Sequence, residues 1–155
     1  MKNTILIALI FISILGCDKD KIFPDEPIIE TLSFRIKGDT LGEWVFSFTD
    51  GDGDLGSEVD SDTNYFQKLH LRKPSNPLVD SVLVLSGERL PKINTSGIGK
   101  GIEGEITRFI ELDLYDLQQG DTIYFSTYVV DQSGKRSNEI RTPRFTLNPT
   151  IFYPD

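Results

Sequence analysis

The chain has 155 residues, with 16 Lys and Arg against 24 Asp and Glu and a formal net charge of −8. That length suits one domain and excludes two ordinary ones. The acidic balance excludes nucleic acid and direct adhesion to anionic lipid, both of which need a surplus of Lys and Arg.

In chain order, Lys2 is the only charge among the first sixteen residues. The nearly all-apolar run TILIALIFISIL follows at 4–15, then Gly16 and Cys17. A bilayer span needs about 20 apolar residues, and this run is shorter. A charged start, a short apolar stretch and a small residue before a cut describe a signal peptide, here residues 1–16. Ile14-Leu15-Gly16-Cys17 resembles the lipobox of bacterial lipoproteins, although Leu15 departs from the usual small or β-branched residue there. The resemblance implies a diacylglyceryl group on the Cys17 thiol, with further acyl chains such as palmitate, and cleavage just before it. One acyl chain binds a membrane only marginally, so stable anchoring takes two or more. The other reading is a buried N-terminal strand with a chance cysteine, but the Asp-Lys-Asp-Lys at 18–21 makes a poor continuation of one. Residues 17–27, polar and with two prolines, read as a short tether. Cys17 is the sole cysteine, so no disulfide forms within the chain.

From residue 28 onward the hydrophobic period is two, with breaks at Gly, Asp, Asn and Pro clusters. Leu32, Phe34 and Ile36 share one face of a first run, and Trp44, Phe46 and Phe48 one face of a second. Tyr65, Gln67, Leu69 and Leu71 mark a third, 79–85 a fourth, and Ile106, Ile110, Leu112 and Leu114 a fifth, with Arg108 the odd member. Residues 122–130, rich in β-branched and aromatic types, are the sixth, and 139–147 the seventh. Pro143 puts an edge or a bulge in that last run. The Gly-rich segment 86–104 reads as an irregular connection. Seven short strands with polar turns predict a single all-β domain over 28–148, an antiparallel β-sandwich, followed by a tail at 149–155.

Leu117-Gln-Gln-Gly-Asp-Thr-Ile-Tyr124, with Asp131-Gln-Ser-Gly134 and Ser137-Asn138 after it, resembles strands F and G of immunoglobulin-like and fibronectin type III domains. That resemblance implies a corner tyrosine at Tyr124, its hydroxyl bonded to backbone upstream. With the lipobox, the loop Phe48-Thr-Asp-Gly-Asp-Gly-Asp-Leu-Gly56 and the closing turn at 131–138, the chain resembles small surface lipoproteins of the Bacteroidota phylum. That resemblance implies a lipid-anchored place in the cell envelope, at the outer membrane or cell surface rather than the inner membrane.

The acidic loop carries the one constellation with chemistry. Asp50, Asp52 and Asp54 alternate with Gly51 and Gly53. Calcium takes six to eight oxygen ligands. Three carboxylates at alternate positions converge if the backbone curls, and glycine reaches the positive φ that a curl requires. The spacing resembles the first half of an EF-hand loop or a thrombospondin type 3 repeat. It departs from the EF-hand, with Leu55 at the sixth position and Ser61 at the twelfth. The remaining ligands must come from elsewhere: Glu58, Asp60 and Asp62 in sequence, or Asp131 and Asn138 if the B–C and F–G loops cluster as in immunoglobulin-like sandwiches. Asp and Gly are also the commonest turn residues, so a plain metal-free turn is the other reading.

His70, the only histidine, reads as a surface strand residue, and Trp44 as core rather than a sugar platform. No nucleophile elbow, P-loop or other catalytic signature is present in the sequence. The expectation is therefore a non-catalytic module, anchored to the membrane by lipid, that binds an envelope protein or glycan and carries a calcium-stabilised loop. The alternative is a small envelope hydrolase using a carboxylate pair, for which a chain this short would be small.

Overall fold

The computed structural model describes residues 23–38, 40–93 and 101–147. The signal peptide, Cys17, the start of the tether and the tail lie outside the described residues. The strands are β1 (Ile28–Lys37), β2 (Leu41–Asp50), β3 (Tyr65–Arg72), β4 (Ser81–Glu88), β5 (Ile102–Glu111), β6 (Thr122–Val129), β7 (Ile140–Arg141) and β8 (Phe145–Thr146). They form two antiparallel sheets, one ordered β1-β2-β5, the other β4-β3-β6-β7 with β8 also on β6. The chain is thus the all-β antiparallel sandwich that the alternation predicts.

The two inner faces meet through aromatic side chains. Trp44, Phe46 and Phe48 of β2 are buried, as are Tyr65, Leu69 and Leu71 of β3. Phe46 stacks on Tyr65 across the sheets with centroids 6.4 Å apart, and Phe34 meets Phe125 at the same separation. Such rings bury large apolar areas and dominate the energetics of a core this size. Trp44 is wholly buried, and its indole Nε1 donates to Thr31 Oγ1 at 3.3 Å.

Three details depart from the simple alternation. Register shifts between Thr31 and Ser33, so Leu32 is an inserted residue and is half exposed, while Ile29 and Thr31 face inward before it and Phe34 and Ile36 after it. The fifth strand stops at Glu111. Leu112 to Leu114 form a 3-10 turn that buries Leu112 and leaves Leu114 exposed. The 86–104 connection is shorter than expected, because β4 extends to Glu88 and β5 begins at Ile102. Pro143 splits the last run into β7 and β8, as an imino acid without an N–H must. Arg108 points inward, its guanidinium 4.6 Å from the Tyr65 ring centroid.

Candidate metal centre

Strand β2 ends on Asp50 and β6 ends on Val129, so the loops that follow them emerge at the same end of the sandwich. Leu55, fully buried, pins the first loop to the core. Gly53 and Gly56 take positive φ, 73° and 90°, and turn the backbone back on itself. Gly51 has another task. A Cβ there would lie 2.4 Å from the Phe23 carbonyl oxygen, so only glycine lets residues 23–24 cross the loop, where Gly51 N donates to Pro24 O at 2.8 Å.

Asp50, Asp52, Asp54 and Asp131 each bring one carboxylate oxygen to a common point, all four atoms lying within 4.8 Å of one another. Asp50 is fully buried and Asp131 nearly so. Each carboxylate has one oxygen held and one left over. Asp50 Oδ2 accepts from Leu55 N at 2.9 Å, Asp54 Oδ2 from Ser133 Oγ at 2.6 Å, Asp131 Oδ1 from Lys135 N at 2.8 Å, and Asp52 Oδ2 from the Lys135 ammonium. The opposite oxygens, Oδ1 of Asp50, Asp52 and Asp54 and Oδ2 of Asp131, are buried with no hydrogen-bond partner among the described residues. Orphaned buried acceptors are rare in folded proteins. Four sharing one point, each carboxyl oriented by a hydrogen bond to its other oxygen, have the geometry of ligands fixed by outer-shell partners.

The electrostatics match. At an effective dielectric of about 20, two like charges at these separations repel by roughly 3–4 kcal/mol. Burial pushes the Asp50 carboxyl up to about 6, with the neighbouring Asp52 and Asp54 charges adding to the rise. Burial raises Asp131 as well. The Lys135 ammonium holds Asp52 below the usual carboxylate range, and Asp52 in turn raises Lys135. One ammonium against four carboxylates leaves a strong negative centre, most of which a divalent cation would offset.

The structure does not bring every expected ligand here. Asn138 is used elsewhere: its Oδ1 accepts from Ile29 N at 2.9 Å and its Nδ2 donates to Ile29 O at 2.8 Å, clamping β1 to the second sheet. Glu58 pairs with Lys92, Asp60 with Arg89, and Asp62 with the Ser57 hydroxyl. Ser133 and Lys135, which orient the ligands, carried no signal in the sequence beyond following Asp131. The tether is not wholly free, since Phe23 to Pro27 lie against this end and Pro27 is buried. Tyr124 is not a corner tyrosine. It occupies the outward parity of β6, where its hydroxyl donates to the Asp80 side chain at 3.4 Å, while Ile123 takes the buried position. His70 is not a bare surface residue. It lies under Tyr124, its ring 4.3 Å away, and its Nε2 is 2.9 Å from Ser126 Oγ.

No family model matches the chain, and no curated protein does. Among solved structures, the crystal structure of Spo0M, a sporulation control protein from Bacillus subtilis, is similar with a TM-score of 0.42 and 9% identity. The likeness covers 79% of this chain and 49% of that one, so the chain spans about half that protein's length.

Proposed function

We propose that this chain is an exported, lipid-anchored module of the cell envelope, non-catalytic, whose Asp-rich end binds calcium as a structural ion. The observation that carries the metal is the set of four converging, partnerless carboxylate oxygens on Asp50, Asp52, Asp54 and Asp131. All-oxygen, anionic and irregular ligation suits calcium. Magnesium prefers strict octahedra with several waters, and zinc prefers nitrogen and sulfur. Four oxygens leave room for further ligands, which water or backbone carbonyls supply.

The anchor rests on the sequence of residues 1–17. It also orients the metal end. Six residue steps separate Cys17 from Phe23, at most roughly 20 Å of chain, and Phe23 lies against Gly51. In this reading the calcium end faces the membrane and the opposite end and both outer sheet faces remain open to an envelope protein or glycan. The finer fold reading is an immunoglobulin-like, fibronectin type III-like sandwich. It is supported by the first, second and fifth strands facing the third and sixth, as A, B and E face C and F.

A carboxylate-pair hydrolase has one observation in its favour: Asp50 is raised and Asp52 lowered, a pair pushed apart. Against it, hydrolytic pairs stand about 5–5.5 or 6.5–9.5 Å apart with room for substrate between, whereas these oxygens crowd one buried point. Calorimetric titration of the full chain in detergent with calcium and with magnesium separates the readings. One site per chain, abolished by Asp52→Ala and by Asp131→Ala, is the expected result. The absence of heat from either metal would remove the ion. Metabolic labelling with a fatty-acid analogue, lost in Cys17→Ser, tests the anchor independently.

A further inference from the structure

The outer face of the second sheet is organised around cations and rings. Phe66 and His70 of β3 stand directly opposite Tyr128 and Tyr124 of β6. Phe66 stacks on Tyr128 at 4.9 Å and His70 on Tyr124 at 4.3 Å. The other side of each tyrosine is covered by guanidinium: Arg136 sits 3.7 Å from the Tyr128 centroid, and Arg144 4.9 Å from that of Tyr124. Each tyrosine ring is therefore sandwiched between an aromatic ring and an arginine.

Two carboxylates beneath hold this layer in place. Glu139 contacts Lys68 at 3.1 Å, Arg136 at 3.0 Å and Arg141 at 4.0 Å. Asp80 contacts Arg72 at 2.7 Å and Arg144 at 2.5 Å. Five cations thus share two anions, a local surplus of positive charge on a chain whose net charge is −8. The carboxylates are the covered partners, 22% and 21% exposed, while Arg136, Arg141 and Arg144 are 50%, 60% and 49% exposed. What meets solvent is a set of pre-positioned guanidinium groups. A planar guanidinium fixed over a ring keeps N–H edges that match a carboxylate bidentately, and has lost less entropy to bind than a free side chain.

We propose that this face docks an acidic segment of a partner protein, its Asp and Glu carboxylates seated on Arg136, Arg141 and Arg144. Charge complementarity sets the sign of the partner. The aromatic sandwiches favour protein over glycan, because neither tyrosine leaves a ring face open for a sugar to stack on. Tyr and Phe beside Arg is also the composition of protein interface centres. Val82, opposite His70 on β4 and 56% exposed, adds an apolar contact at the margin.

The test uses the full chain in nonionic detergent and a short fluorescein-labelled Glu-rich peptide, read by anisotropy. Binding should weaken steeply with added salt. It should fall at least about tenfold in Arg136→Gln/Arg141→Gln, and stay unchanged in Lys37→Gln, on the other sheet. Melting curves establish that the variants fold, and Arg144→Gln alone serves if the double variant does not. No peptide binding, or binding indifferent to these arginines, overturns the proposal. So does arginine-dependent capture of polygalacturonate in place of the peptide, or self-association through the same residues with the peptide ignored.

Discussion

Replacing Asp50 by Asn should stabilise the metal-free chain and lose that advantage over wild type once calcium is bound. Asp50 is fully buried, and its carboxyl is pushed up to about 6 from an ordinary 3.8. At about 1.4 kcal/mol per pKa unit, the ionised group costs the fold roughly 3 kcal/mol at neutral pH. Asn keeps an oxygen to accept from Leu55 N and places an N–H₂ where Oδ1 now has no partner. In EDTA at pH 7.5 the variant should gain about 2–3 kcal/mol, and at about 3–5 °C per kcal/mol for a domain of this size its Tm should rise by roughly 10 °C. Calcium closes the gap. A ligand that binds only the folded state adds RT ln(1 + [L]/Kd), about 2.7 kcal/mol at a hundredfold excess over Kd. Wild type should receive that increment, while a variant missing one of four anionic ligands should lose most of it. Scanning calorimetry of both chains should show the variant melting higher in EDTA and the two melting curves drawing together in millimolar calcium. An Asn variant less stable than wild type in EDTA would mean that the four carboxylates do not strain the fold. Equal calcium shifts in both would place the ion elsewhere.

The same site predicts a pH signature in EDTA. A carboxyl whose pKa is raised by folding destabilises above that pKa, and the loss is recovered as pH falls through it, so Asp50 and Asp131 should favour the fold on acidification from pH 7.5 toward 5. His70, held below its usual range first by burial, works in the opposite direction, so the readout is the gap between wild type and Asp50→Asn; a gap that does not narrow on acidification contradicts the argument. Asn138→Ala should cost about 1–3 kcal/mol by stripping the partners from Ile29 N–H and C=O, yet leave the calcium increment intact; loss of the increment would make Asn138 a ligand after all. Gly51→Ala should push residues 23–24 off the loop and cost about 1–3 kcal/mol, seen as faster hydrogen exchange in 23–27; unchanged exchange there would mean that the contact is not maintained.

The sequence alone determined what is local. Period-two alternation marks Trp44, Phe46, Phe48, Tyr65, Leu69 and Leu71 as buried strand residues, and Pro143 marks the break in the last strand, because side-chain parity and a missing N–H are properties of a few consecutive residues. The acidic residues of the first loop were equally legible, since Asp and Gly advertise their own chemistry. The approach of Asp131 to Asp50 was readable only once a sandwich topology was assumed. Tertiary structure decided the rest. One inserted residue at Leu32 changes the inward parity of β1, and a shift of one residue moves a side chain to the opposite face. Parity likewise sends Tyr124 outward, onto His70. Asn138 lies in the same connection as Asp131, but its amide meets the Ile29 backbone. Lys135 and Ser133 acquire their roles, and the arginines their shared face, only when strands distant in the chain pair, because register and loop approach are set by the packing of two whole sheets rather than by any residue's neighbours.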